Sequence, residues 1–338
     1  MVEKLQIRKL DKKEGAKVMK EKVENQIKNM KEQTIGVEVE MNNITRKKAS
    51  EKIAEFFGTT SYYADREYGY YTWACKDQQG RVWKFSRDAS IEGPDDERCE
   101  MVTPILKYDD IETLQEIIRI LRKNGAKSDA TRGCGVHIHI GANGHTPKTL
   151  RNLTNIMASH ESLLASALKL DRQRVDRFCK TVDPRFLIAI NKNKPKTMPK
   201  FADIWYKSQG QDYDRNRHYN CSRYHMLNFH ATFTKGTIEF RLFQFDAPEN
   251  GKLNGLHAGQ LKSYIQLCLA LSQLAKDAKG ASSKPQQVEN PKYAMRTWLL
   301  RLGFIGEEFS TAREFLTKRL EGDAAFRSGT RPVLAAAC

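Results

Sequence analysis

Three short runs of this chain alternate apolar and ionisable residues with a period of two, and that pattern commits each run to a β-strand between a core and a polar surface. In Thr34-Ile35-Gly36-Val37-Glu38-Val39-Glu40-Met41, the residues Ile35, Val37, Val39 and Met41 take one face, and Glu38 and Glu40 take the other. In Cys134-Gly135-Val136-His137-Ile138-His139-Ile140-Gly141, Val136, Ile138 and Ile140 oppose His137 and His139, with glycines flanking the polar pair. Glycine there leaves room for a group to approach the sheet closely. In Gly236-Thr237-Ile238-Glu239-Phe240-Arg241-Leu242-Phe243, Ile238, Phe240 and Leu242 face the core while Glu239 and Arg241 share the opposite face. Ionisable pairs on three separate strands predict one common site. A fourth run, from Val82 to Ile91, ends in an acidic turn and is soon followed by Cys99-Glu100-Met101-Val102-Thr103-Pro104, which adds Asp88 and Glu100.

Carboxylates with two histidines make a mostly oxygen ligand set, suited to Mg²⁺ or Mn²⁺ rather than zinc. Magnesium in turn implies phosphate chemistry. Glu239 and Arg241 can then serve opposite tasks, one holding a cation and the other stabilising charge on a transferring phosphoryl group. Each motif alone has a plainer reading. A Glu-x-Glu strand is usually a solvated face, a His-x-His pair is as often buried and hydrogen-bonded as ligating, and an exposed Glu-Arg pair is worth roughly 0 to 1 kcal/mol. The joint arrangement favours the site, because three strands would otherwise have to choose ionisable residues independently on one face. Zinc would draw on Cys134 beside His137 and His139, but no second Cys or His pair stands at zinc-site spacing. A cupin-like reading explains neither Glu38 and Glu40 nor Arg241.

The ordered blocks Gly36-Val37-Glu38-Val39-Glu40, Asp88-Ala89-Ser90-Ile91, Glu100-Met101-Val102-Thr103-Pro104, Cys134 to His139, Arg223-Tyr224 with Asn228, and Thr237-Ile238-Glu239-Phe240-Arg241 resemble the amidoligase family over roughly residues 32–278. That family belongs to the carboxylate-amine ligases with a glutamine synthetase-like fold. The resemblance implies an ATP-dependent ligase that forms an amide or isopeptide bond through an acyl phosphate, with ATP and Mg²⁺ or Mn²⁺ as cofactors. It implies that Glu40, Asp88 and Glu100 hold one metal near the acceptor carboxylate, and that Glu38, His137 and Glu239 hold another near the nucleotide phosphates. His139 would touch a phosphate and Arg241 would steady the phosphoryl group. Arg223 and Asn228 would contact nucleotide or substrate, so that Arg241, Arg223 and Glu239 form the catalytic set. Asp88 stands where glutamine synthetase has a Glu. The substrates implied are a small-molecule or peptide carboxylate and an amine.

The chain has 338 residues, enough for a large core, with 40% hydrophobic and 29% charged residues, normal for a globular enzyme. Its 57 Lys and Arg against 41 Asp and Glu give a net charge of +16, which would attract an acidic partner. Basic stretches lie near Trp205, Tyr206, Tyr213 and Tyr219. A nucleic-acid-binding protein is therefore one alternative, and a phosphotransferase on the same scaffold is another. A solvated basic surface around a nucleotide site accounts for the charge more simply. No apolar run is long enough to span a bilayer, no signal-peptide core follows the first residues, and seven cysteines lie scattered without paired spacing. These point to a cytoplasmic protein with reduced thiols. A G-x-x-x-x-G-K-[ST] phosphate loop is absent.

Along the chain, residues 1–31 read as a charged N-terminal extension, helical or disordered, and residues 32–278 as the catalytic domain. Thr45 caps a helix over Arg46 to Phe57 that Gly58 ends. The tyrosine-rich stretch to Gly80 reads as a hairpin or loop at the site mouth. A helix is expected to begin at Asp109 and Asp110, with Ile111, Leu114, Ile117, Ile118 and Leu121 at helical spacing, and to stop at Asn124-Gly125; others run from Thr146 and Pro147 toward Leu170 and over Gly255 to Ala275. Pro184 to Phe201 reads as a basic loop and Tyr224 to Phe233 as a strand. Residues 279–288 read as a linker, 289–321 as two helices and 322–338 as a mobile tail. The fold class expected is α+β: a curved antiparallel sheet of the glutamine synthetase catalytic type, with its polar concave face carrying the site and helices covering the other.

Overall fold

The computed structural model describes residues 20–217, 219–248, 255–285 and 288–327. The expectations for residues 1–19, 286–287 and 328–338 lie outside the described residues. In chain order the elements are α1 (20–31), β1 (Ile35–Met41), α2 (Arg46–Phe57), β2 (Ser61–Tyr63), α3 (Asp65–Tyr68), β3 (Trp73–Lys76), β4 (Val82–Ser86), β5 (Cys99–Val102) and α4 (Ile111–Lys123). Then follow β6 (Val136–Gly141), α5 (Pro147–Leu168), α6 (Arg172–Arg177), α7 (Pro184–Asn193), α8 (Met198–Ser208), β7 (Leu227–Asn228), α9 (His230–Thr234), β8 (Thr237–Phe243), α10 (Ala258–Asp277), α11 (Pro291–Arg301) and α12 (Ser310–Thr317). The strands form one eight-stranded sheet in the order β2-β3-β4-β5-β1-β6-β8-β7, with every pairing antiparallel. The sheet is uncurled: β2 and β7 stand at opposite ends, so the curvature expected from sequence does not close it.

The period-two pattern acts as expected. Val37, Val39, Ile138, Ile140, Ile238 and Phe240 are at most 1% exposed, and α2, α4, α5 and α10 build the layer that covers this apolar face. Local signals explain where the helices begin and end. Thr45 accepts a hydrogen bond from the Lys48 N–H, and Gly58 ends α2 in a left-handed conformation at φ 67°. In α4, Ile111, Leu114, Ile117, Ile118 and Leu121 recur at helical spacing and all are buried.

Two segments differ from the sequence expectation. Pro184 to Phe201 is not a loop, because α7 and α8 fill it. Asp183 caps α7 with Pro184 in its first turn, and Thr197 caps α8. Phe186, Ile190, Phe201 and Trp205 form a buried stripe under the lysines. Their rings pack with Phe229, with centroids 4.9 Å apart for Phe186–Trp205 and 5.2 Å for Phe201–Phe229. Tyr224 to Phe233 is strand only at Leu227–Asn228, and α9 follows because Asn228 Oδ1 accepts the His230 N–H at 2.8 Å. The six described cysteines are free. Among the described residues no helix is long and apolar enough to cross a membrane.

Candidate functional site

Strand register gathers the ionisable pairs on the face opposite the layer of α2, α4, α5 and α10. Glu38 lies opposite His137, Glu40 opposite Glu100, and Glu239 opposite both His139 and Asn228. Opposed residues on one face bring Cβ atoms to about 4.5–5.5 Å, so side chains from five strands converge.

His137 stands at the centre. Its Nδ1 is 3.0 Å from Glu38 Oε2 and 3.8 Å from Glu239 Oε1, and its Nε2 is 3.8 Å from Glu40 Oε1. Two groups of potential metal donors result, Glu38-His137-Glu239 and Glu40-Glu100-His137, each with its atoms within 4.8 Å of one another. The first group is the set that the family resemblance placed near the phosphates. In the second, His137 stands where Asp88 was expected. Asp88 lines the adjoining cavity, and its Oδ1 accepts both the N–H and the hydroxyl of Ser90 at 2.7 Å. Cys134 belongs to neither group; it is buried and its thiol donates to the Arg132 carbonyl at 3.5 Å.

His139 places Nδ1 2.9 Å from Thr237 Oγ1, and its buried Nε2 faces Glu38 Oε1 at 3.3 Å. Glu239 is fixed at both oxygens, by Arg241 Nη1 at 2.5 Å and by Asn228 Nδ2 at 2.6 Å. Arg223 lies over the rings of Tyr219 and Tyr224, at 5.3 and 5.5 Å from their centroids.

The electrostatics are those of a crowded acid cluster. Burial, followed by the charges of Glu38, Glu40 and Asp88, pushes Glu100 well above the usual carboxylate range. Burial would raise Glu38 as well, but His139, His137 and Lys235 hold it well below that range. Glu239, also resisting burial, is pulled down to about 2 chiefly by Arg241, whose own pKa is raised by Glu239 and Glu38 against the opposing effect of burial. Like charges this close raise one another's proton affinity, and a divalent cation among them would relieve the repulsion. The donor chemistry, mostly carboxylate oxygen with one imidazole, fits such an ion.

Glu38, Glu100, Asn228, Glu239, Arg241 and Arg223 line a cavity of about 230 Å³. The structure adds residues that sequence reasoning did not single out. Lys235 puts Nζ 3.6 Å from Glu38 Oε1. Arg174, 5% exposed, lays its guanidinium on Gly135, where an added Cβ would stand 2.2 Å from Nη2. The space that glycine leaves beside His137 is therefore taken by the chain's own arginine. Its signal in the sequence was the cluster Arg172 to Arg177, which reads equally well as surface charge.

A family model described as "Putative amidoligase enzyme" matches residues 31–272. No curated protein matches the chain. Among solved structures, a bifunctional glutathione synthetase from Pasteurella multocida is similar at 13% identity and a TM-score of 0.40, covering 91% of this chain and 49% of that one. The chain thus spans about half the length of that structure.

Proposed function

The chain belongs to the amidoligase family, and from that membership and the geometry of the sheet face we propose that it is an ATP-dependent carboxylate-amine ligase working through an acyl phosphate on a glutamine synthetase-type sheet. The observation that carries the reading is the convergence of Glu38, His137 and Glu239 within 4.8 Å, with Arg241 bound to Glu239 beside them. Glu38, His137 and Glu239 would hold one Mg²⁺ or Mn²⁺, and Glu40 and Glu100, with His137 or Asp88, a second. Such ions supply Lewis-acid neutralisation of phosphate and carboxylate charge.

The chain's own groups do the rest. An acceptor carboxylate oxygen attacks the γ-phosphorus of ATP, and the bond to the ADP oxygen breaks. Arg241, permanently charged and aimed into the cavity, stabilises the phosphoryl group in flight, while His139 Nε2 meets a phosphate oxygen. An amine nitrogen then attacks the acyl carbon, phosphate leaves with the C–O electron pair, and the nitrogen releases a proton. Asn228 keeps Glu239 oriented, and Arg223 contacts nucleotide or substrate at the cavity wall. The substrates are a small-molecule or peptide carboxylate and an amine.

Hydroxylamine tests this directly, because it captures acyl phosphates as hydroxamates. ADP and hydroxamate should form together and only with Mg²⁺, ATP and a carboxylic acid. ADP release that yields a phosphorylated product but never a hydroxamate would instead make the protein a phosphotransferase.

A further inference from the structure

The β4 end of the cavity holds a cation that this chemistry leaves unused. One cross-strand row runs His137, Glu38, Val102, Lys84 and Ala74 over β6, β1, β5, β4 and β3. Two interstrand steps therefore separate Lys84 from Glu38, roughly 9–10 Å. Between them Val102, half-buried, gives the cavity an apolar floor. Among the other cations lining the cavity, Arg241 binds Glu239, Lys235 stands 3.6 Å from Glu38, Arg87 binds Asp95 at 2.6 Å, and Arg223 lies over the Tyr219 and Tyr224 rings. Lys84 has its Nζ 4.9 Å from the centre of the Tyr68 ring, and no carboxylate lies within ion-pair distance of it among the described residues.

An independent feature marks the same end. Tyr70 and the adjacent Tyr71 both adopt left-handed backbone, at φ 56° and 51°, which bulky side chains avoid and which tends to persist at ligand clamps. Hydrogen bonds hold it there: the Arg87 N–H donates to the Tyr70 carbonyl at 2.8 Å, the Tyr71 N–H to Asp65 Oδ1 at 2.6 Å, and Arg46 Nε to the Tyr71 carbonyl at 3.2 Å. The Tyr70 ring is thereby fixed at the cavity mouth, where its hydroxyl accepts from Tyr219 at 2.9 Å.

Resting on the ligase reading, we propose that Lys84, held over Tyr68 and walled by Tyr70, is a specificity residue that binds a second anionic group of the acceptor. The acceptor is then a small dicarboxylate: one carboxylate is activated over Glu38 and Glu100, a short aliphatic spacer lies on Val102, and the second carboxylate meets Lys84.

The test compares glutarate with butyrate, acids that differ by the second carboxylate, in the hydroxylamine assay with wild type and Lys84→Gln. A charge-assisted contact predicts that wild type prefers glutarate in kcat/KM by roughly ten- to hundredfold. Lys84→Gln should erase that preference through KM for glutarate while butyrate turnover stays as it was. Equal use of the two acids by wild type, or an equal loss on both in the variant, overturns the subsite. If neither acid supports ADP release, the ligase reading fails on these substrates, and glutarate binding observed by NMR then judges the subsite alone. Binding to wild type that disappears in Lys84→Gln supports it, and no binding to wild type overturns it.

Discussion

His137 offers one ring nitrogen toward Glu38 and Glu239 and the other toward Glu40, so a single residue serves both donor groups. His137→Ala is therefore expected to abolish metal-dependent turnover. It should leave thermal unfolding close to wild type, since the imidazole sits on the polar face. A large loss of stability with unchanged specific activity would make the histidine structural. Arg241→Lys tests geometry rather than charge, because lysine cannot reproduce the planar fork that Arg241 extends beside Glu239. If Arg241 acts mainly in the transition state, kcat should fall more than ATP affinity, by ~2.7 to 4 kcal/mol of barrier. A lysine variant with near-normal kcat would sink the phosphoryl-stabilising role. The pairs Glu38/Glu40, His137/His139 and Glu239/Arg241 were legible in the sequence because a strand's period of two fixes which residues share a face. Lys84, Arg174 and Lys235 were not. Their meaning depends on register and packing across the sheet, which no local pattern encodes.

Among the elements, α6 meets β8 and the residue before β6: the Arg174 guanidinium covers Gly135 and donates to the Arg241 and Phe243 carbonyls at 3.5 and 3.4 Å. Gly135→Ala would push a methyl group into that guanidinium and is expected to cost about 1–3 kcal/mol of stability. The same change in an Arg174→Ala background should cost much less, so the pair is non-additive. Denaturant titration of the four proteins decides it, and equal costs in both backgrounds would refute the packing argument. On α5, Glu161 is 6% exposed and accepts the Val182 N–H at 2.7 Å; burial raises its pKa from 4.5 to about 7. Its folded pKa lies above its unfolded one, so stability is complete below the unfolded value and declines as pH rises from 4.5 to about 7. At ~1.36 kcal/mol per unit the loss is on the order of 3 kcal/mol. Glu161→Gln should remove that decline, and a variant that tracks wild type through the window would disprove it. Helices with strong stripes and caps, such as α2 and α4, could be read in advance. The sequence hid α7 and α8 because lysines and two prolines dilute a stripe whose partner, Phe229, lies far along the chain. It also suggested too long a strand after Tyr224, where Asn228 turns the chain into α9.

At the scale of the whole molecule, the protein carries a net charge of +16 yet concentrates carboxylates at one place on its sheet. That segregation is expected to cost stability, because Glu100 is held well above its usual range by burial and by the neighbouring acids. Divalent metal should therefore stabilise the fold by mass action, by ~2.7 kcal/mol at a hundredfold excess over Kd. For a chain of 338 residues that corresponds to a rise in Tm of roughly 4 °C. Chelator should reverse the rise, and matched NaCl should not reproduce it, because general screening acts on the basic surface as much as on the site. Glu100→Gln separates the two effects. Without metal it should be neutral or stabilising, since it removes a half-buried, repelled carboxylate, and with Mg²⁺ or Mn²⁺ it should gain much less than wild type. Identical melting of wild type in Mg²⁺ and in chelator, or a full metal response in Glu100→Gln together with Glu38→Gln, would mean that the acidic cluster is not a cation site, and the ligase proposal would lose the observation that carries it.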